Sequence, residues 1–265
     1  MFIYGYEDLL KDIEKIRTKN YTAVFSLGKS LCSREIFCIK CGFGSNKVFY
    51  NAAHHGLESI TSSLLVKFVL GLDDPCCAKL LDAASIYIVP MVNPDGVQIV
   101  KDGDMHWQAN ARGVDLNHNY NAGWLIAKAL EAEYGVCGPG PTRFGGEFPE
   151  SEPETKAIAD FSRKMNFSLA LAYHTQGEEI YYTYMGYCPV KARKIADRLS
   201  SASGYRLSEP GGIASYGGFK DWFIKEFSKP AFTIEAGKGK NPLPYSDITK
   251  IYNENRELLS VAPLL

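Results

Sequence analysis

The sequence predicts an α/β domain built on a mixed, mostly parallel central β-sheet covered by helices on both faces. Two observations carry that prediction. Short apolar, β-branched runs alternate with helical patterns along the whole chain, and several runs are apolar almost without interruption, as strands buried on both faces must be. A third observation sets the domain count. No internal repeat, low-complexity stretch or charged linker interrupts the 265 residues, so 1–265 read as one domain.

The chain opens on MFIYGYEDLLKDIEKI, an amphipathic helical pattern. It lacks a basic region followed by an apolar core and a small-residue cleavage site, so it does not read as a secretory signal. Strand runs follow at TAVFSL, EIFCIKC and KVFYNAA. LESITSSLLVKFVL then sets Leu57, Ile60, Leu64 and Phe68 on one helical stripe. After the strand run SIYIVPMV, the Gly-rich region 96–147 has little periodicity and predicts loops, with VNPDGV at its start and RGVDLNHNYNAGW and GVCGPGPTRFGG within it. Ligands of open α/β sheets collect where such loops leave the carboxyl ends of strands. SEPETKAIADFSRKM places Ser151 and Glu154 at capping-box spacing with Pro153 in the first turn, which starts a helix. The strand runs end with FSLALAYH, EIYYTYM and KPAFTIEA, and the helical ones with PVKARKIADRLSSAS, GGFKDWFIKEF and DITKIYNENRELLSVA.

Composition excludes some functions. A net charge of −1 makes no electrostatic case for nucleic acid or an anionic membrane. The most apolar segment, LLVKFVLGL, is short and broken by Lys67, so nothing predicts a membrane span. Seven cysteines, an odd count in a large domain, favour reduced thiols and a cytoplasmic setting. Cys38 and Cys41 form a CxxC inside a strand run, but no second pair answers it, and they read as core. No protein partner is evident.

Several enzyme signatures fail. Gly28-Lys29-Ser30 resembles the tail of a phosphate loop, but Ala23 stands where the upstream glycine belongs. Gly42-Phe43-Gly44 is followed by Lys47 where a dinucleotide fingerprint needs glycine, and no GxSxG exists. A metal reading survives. His55 and Glu58 stand three apart where a strand run ends and a helix begins, and His174 closes the run FSLALAYH. Two imidazoles and a carboxylate can hold one divalent cation at ~2.0–2.2 Å, leaving a fourth position open. Glu235 closes KPAFTIEA and is positioned to serve as a general base. Blander readings stand beside these: a helix cap for Glu58, a hydrogen-bonded core role for His174, and a pair with Lys238 or Lys240 for Glu235.

The order HxxE, NPDG, GVDLNxN, a strand ending in His and a strand ending in TxE resembles the zinc carboxypeptidases of the carboxypeptidase A type, over roughly residues 20–260. The resemblance implies that fold and one Zn2+ per chain, held by His55, Glu58 and His174, with Glu235 as general base. It implies that Asp115 orients the first zinc histidine and that Asn117 helps hold the substrate's terminal carboxylate. Arg112 is the candidate cation for the oxyanion, in a loop shorter than in the animal digestive enzymes. Asn93 and Asp95 read as a structural turn, His54 as a neighbour of the site, and His106 takes no role.

His118 departs from the pattern, because the family's exopeptidases carry arginine there. Histidine cannot grip a carboxylate with a planar fork. DLNHNYNAGW and HTQGEEIYY are similar instead to the bacterial branch that cuts cell-wall peptides between γ-D-glutamate and meso-diaminopimelate, or lysine. The expected substrate is therefore a muropeptide rich in carboxylates. Lys220 falls near the family's side-chain pocket, against the alternative of a solvated helix face. Tyr216 is the candidate mobile phenol, against an exposed loop tyrosine. Three other functions stay open: a zinc carboxypeptidase acting on ordinary peptide C-termini, a zinc deacylase of the aspartoacylase or succinylglutamate desuccinylase kind, and a catalytically silent binding module.

Overall fold

The structure, a computed structural model, describes residues 1–265. Eight strands are present: β1 (Thr22–Lys29), β2 (Glu35–Cys41), β3 (Asn46–Ala52), β4 (Ala84–Val89), β5 (Leu169–His174), β6 (Glu179–Tyr181), β7 (Arg206–Ser208) and β8 (Ala231–Glu235). Nine helices accompany them: α1 (Tyr6–Arg17), α2 (Ile60–Gly71), α3 (Ala78–Ala83), α4 (Pro94–Lys101), α5 (Trp124–Glu131), α6 (Pro153–Met165), α7 (Ala192–Ser203), α8 (Phe219–Phe227) and α9 (Ile248–Val261). One sheet runs in the order β1-β2-β4-β3-β5-β8-β6-β7. The pairs β4–β3, β3–β5 and β5–β8 are parallel and form its centre, while β1–β2, β2–β4 and β8–β6 are antiparallel. A mixed, mostly parallel sheet is what the apolar runs predict.

Both faces are covered. The larger core joins one face to α1, α2, α7 and α9 through residues such as Leu9, Leu64, Leu199 and Leu258. The smaller core joins the other face to α6 and α8 through Ile158, Phe219 and Trp222. β4 and β5 are buried along their whole length, which explains their unbroken apolar sequences. Cys38 and Cys41 sit in the two different cores, on opposite faces of β2, so the CxxC is packing and all seven cysteines are free.

Several expectations are corrected. α2 is buried nearly all round rather than along one stripe, because it lies between the sheet and both α1 and α9. Ser151 does not cap α6: Glu152 is the N-cap residue without a side-chain cap, and Ser151 Oγ donates to Glu152 instead. The region 96–147 also contains α4 and α5. NPDG is the start of α4, where Asn93 Oδ1 accepts the Gly96 N–H at 2.9 Å. Asn93 Nδ2 donates to the carbonyls of His54, Gln108 and Ala109, so this residue pins three segments around the site. Its structural reading and that of Asp95, which holds Ser30, Cys32 and Arg34, agree with the geometry.

Candidate metal centre

Strand order reverses at β3, whose parallel neighbours β4 and β5 lie on either side, so the carboxyl ends of β3, β5 and β8 face one cleft. His55 follows β3, His174 ends β5, and Glu235 ends β8 beside His174 in register. A single 3-10 turn, Gly56–Glu58, returns Glu58 towards His55. Gly56 is required there, because a Cβ would lie 2.4 Å from the Gly96 carbonyl oxygen. That close contact seats the metal loop directly on α4.

Three donor sets meet. His55 Nδ1 lies 3.0 Å from Glu58 Oε1, His174 Nδ1 lies 3.0 Å from Glu58 Oε2, and the two Nδ1 atoms are 3.3 Å apart. Ligands about 2.1 Å from a tetrahedral ion stand about 3.4 Å from one another, so these edges fit a zinc-sized cation. The two nitrogens face each other across an edge that a single proton serves poorly and a shared cation serves well. Glu58 is buried yet its carboxyl is pulled down to about 2: burial alone raises it, and the two imidazoles outweigh that. An anionic carboxylate between two imidazoles is a ligand set for a divalent ion.

Around this triangle, the Asp115 carboxylate stands 3.2 Å from His55 Nε2. His54 is buried, its Nε2 2.9 Å from the Tyr120 hydroxyl and its ring stacked on His174, which makes it a packing neighbour. Glu235 makes no ion pair: Lys238 joins Glu178 at 2.7 Å instead, which removes the bland alternative. Burial first, and then the Glu58 charge, hold the Glu235 carboxyl well above the ordinary carboxylate range. The cleft, about 190 Å³, is lined by His55, Asn117, His118, His174, Lys220 and Glu235 among others. A larger cavity of about 730 Å³ between β1 and α6 contains none of these groups.

The remaining expectations divide. Asn117 lines the cleft and its Oδ1 accepts the Phe219 N–H at 3.0 Å. His118 donates from Nδ1 to the Tyr216 carbonyl at 3.1 Å, and burial, its largest influence, lowers its affinity for a proton. Lys220 is not on a solvated face: it is 3% exposed, ion-paired with Asp221, and reaches the cleft. Burial pushes the Asp221 carboxyl up despite that lysine. His106 is exposed in a loop and touches none of these groups.

Two expectations are corrected. Arg112 is not brought to the cleft: its guanidinium, more than half exposed, points to Glu152 at 3.5 Å, and Asn110 holds its backbone N–H. Tyr216 is half-buried with its ring against Gly123, and lines a separate small cavity beyond Lys220. The phenol in the metal cleft belongs to Tyr181 on β6, opposite Thr233. Its signal in the sequence was alternation with the inward Ile180. Nothing in the periodicity marks Pro210 and Gly211, which complete the wall.

Two imidazoles and a carboxylate that could hold a metal ion, with a separate half-buried acid at the neighbouring parallel strand end, are the kind of side chains a metal-dependent hydrolase uses. A sequence model of the zinc carboxypeptidase family matches residues 6–258, and the chain belongs to that family, a family of zinc metallopeptidases. It is 34% identical to gamma-D-glutamyl-L-diamino acid endopeptidase 1 of Lysinibacillus sphaericus, over 95% of this chain and 70% of that one. It is 29% identical to human (Homo sapiens) carboxypeptidase A6 over 80% of this chain and 54% of that one. The fold matches bovine thrombin-activatable fibrinolysis inhibitor with a TM-score of 0.84 at 21% identity, covering 99% of this chain and 97% of that one. It also matches murein-tripeptide amidase MpaA of Escherichia coli O157, with a TM-score of 0.61 at 18% identity, covering 89% and 91%. No helix is long and apolar enough to cross a membrane.

Proposed function

We propose that this peptidase hydrolyses the amide between γ-D-glutamate and a diamino acid, meso-diaminopimelate or lysine, in cell-wall peptides, and that it does so in the cytoplasm. The observation that carries the reading is a buried lysine in the wall of the cleft, a partner for a carboxylate. Lys220 is buried at the wall of the cleft, and by the resemblance His118 stands where the family's exopeptidases carry arginine. The similarity to an endopeptidase named for γ-D-glutamyl-L-diamino acid bonds supports it.

His55, Glu58 and His174 would hold one zinc ion per chain, and when bound it would supply Lewis acidity to the scissile carbonyl and the attacking water. Asp115 accepts the Nε2–H of His55 and so leaves the Nδ1 lone pair for the ion. Glu235 takes the proton of the water and then returns it to the departing amine. Asn117, whose Oδ1 is taken by the Phe219 N–H, donates from Nδ2 to the leaving-side carboxylate beside His118, and the Lys220 ammonium receives a second carboxylate of the diamino acid.

The test is release of diaminopimelate from L-Ala-γ-D-Glu-meso-diaminopimelate, followed by mass spectrometry. No release, together with fast removal of ordinary C-terminal residues, sinks the substrate assignment and supports the second reading, C-terminal trimming, which rests on the similarity to carboxypeptidase A6. Turnover of N-acyl amino acids alone identifies a deacylase.

A further inference from the structure

The metal cleft lacks the guanidinium that an arginine at position 118 would supply, since His118 has its Nδ1 committed to the Tyr216 carbonyl and is driven towards the neutral form by burial. The chain provides a guanidinium from a different loop. Arg143 adopts a left-handed backbone conformation, φ +66°, and its N–H donates at 2.9 Å to Oδ2 of Asp115, the carboxylate whose other oxygen meets His55. The Arg143 backbone is therefore fixed to the ring of groups around the ligand triangle.

Its side chain is aimed by packing. The guanidinium carbon stands 5.5 Å from the Tyr134 ring centroid, a cation–π contact. The Tyr134 hydroxyl in turn packs on Gly212, where a Cβ would leave only 2.0 Å, and Gly212 follows Gly211 in the cleft wall. Exposed Arg143 is thus tied through Tyr134 to the Gly211–Gly212 rim of the cleft. No carboxylate of the chain pairs with it, whereas Arg34, Arg112, Arg163 and Arg206 each have one. Its charge reaches His118, whose protonation it opposes.

The geometry points to Arg143 as a specificity-determining residue that receives a free carboxylate on the acyl side of the scissile bond. The inference rests on the proposed function. With the diamino acid directed to Lys220, the acyl part of the substrate extends outward past the rim. A γ-linked D-glutamyl residue keeps a free α-carboxylate on that side, and an α-linked peptide has none. A planar guanidinium packed against a tyrosine ring is suited to a two-pronged grip on such a group. This selects γ-glutamyl amides from the acyl side, independently of the leaving group.

The test compares L-Ala-γ-D-Glu-meso-diaminopimelate with the same peptide carrying D-isoglutamine, in which the α-carboxylate is a carboxamide. The wild type is expected to favour the acid by about ten- to hundredfold in kcat/KM, mostly through KM. In Arg143→Gln that ratio should fall towards one, and Arg143→Lys should keep part of it. A merely structural role lowers both substrates together and preserves the ratio, which overturns the inference. So does a wild type that treats acid and amide alike, although the functional reading then stands. A wild type that cleaves neither peptide but trims ordinary C-termini removes the functional reading and this inference with it.

Discussion

The Asp115 carboxylate lies 3.2 Å from His55 Nε2, while Nδ1 of the same ring lies 3.0 Å from Glu58. One imidazole is thereby oriented from both sides, and its tautomer is set by the buried acid behind it. Asp115 can do this because it is itself held: its carboxylate accepts the Asn117 and Arg143 N–H groups. Burial alone would raise its carboxyl, but the His55 ring beside it and these bonds hold it far below the ordinary range.

Replacing that acid with an amide should loosen the ion without unfolding the loop. Asp115→Asn is expected to weaken zinc binding by about ten- to hundredfold, the usual cost of removing a ligand's orienting partner. Competition with a chromophoric chelator measures this, and unchanged affinity would contradict the orienting role.

The three ligands should act as one unit. Wild-type protein is expected to carry one zinc per chain by elemental analysis, and His174→Ala far less. Saturating zinc at about a hundred times its dissociation constant should add about 2.7 kcal/mol to wild-type stability, and little to the variant. Equal thermal shifts in both proteins would place the ion elsewhere.

Glu235 should separate chemistry from binding. Glu235→Gln keeps the three ligands and is expected to retain zinc while turnover falls by about a hundred- to ten-thousandfold. Loss of zinc in this variant would show a ligand rather than a base.

The lysine in the cleft is predicted to read leaving-group charge. Lys220→Met should raise KM for the diaminopimelate peptide by about ten- to hundredfold, the range of a charged hydrogen bond. The lone Asp221 left behind is already biased towards its protonated form by burial, so the fold should survive. An unchanged KM would leave Lys220 a purely structural partner of Asp221.

Stability should fall with rising pH through one identifiable acid away from the cleft. Glu154 is buried on α6 and its carboxyl is raised to about 7, chiefly by burial, although it accepts the Leu31 and Asn110 donors. The folded state then holds the proton more tightly than the unfolded chain. Its contribution is complete below about pH 4.5 and is lost as pH rises towards 7, by roughly 3 kcal/mol. Glu154→Gln should flatten that slope in denaturant titrations between pH 5 and 8. A variant with the wild-type slope would remove Glu154 as the cause.

Much of this protein was legible in the order of its residues. Period-two and period-3.6 patterns announced strands and helices, and runs apolar on every position announced a sheet covered on both sides. His55, Glu58, His174 and Glu235 stood at strand ends, where side chains leave the core and can converge, and their chemical types already favoured a metal and an acid. The sequence by itself could not say that β3, β5 and β8 would be neighbours, because strand order depends on contacts between segments 121 and 61 residues apart. Only the tertiary structure turned Arg112 towards Glu152, buried Lys220 in the cleft, exchanged Tyr216 for Tyr181 and hung Arg143 on Asp115. Those placements depend on how loops without periodicity fold over the sheet, and loop conformation is set by packing and hydrogen bonds to distant partners rather than by local pattern.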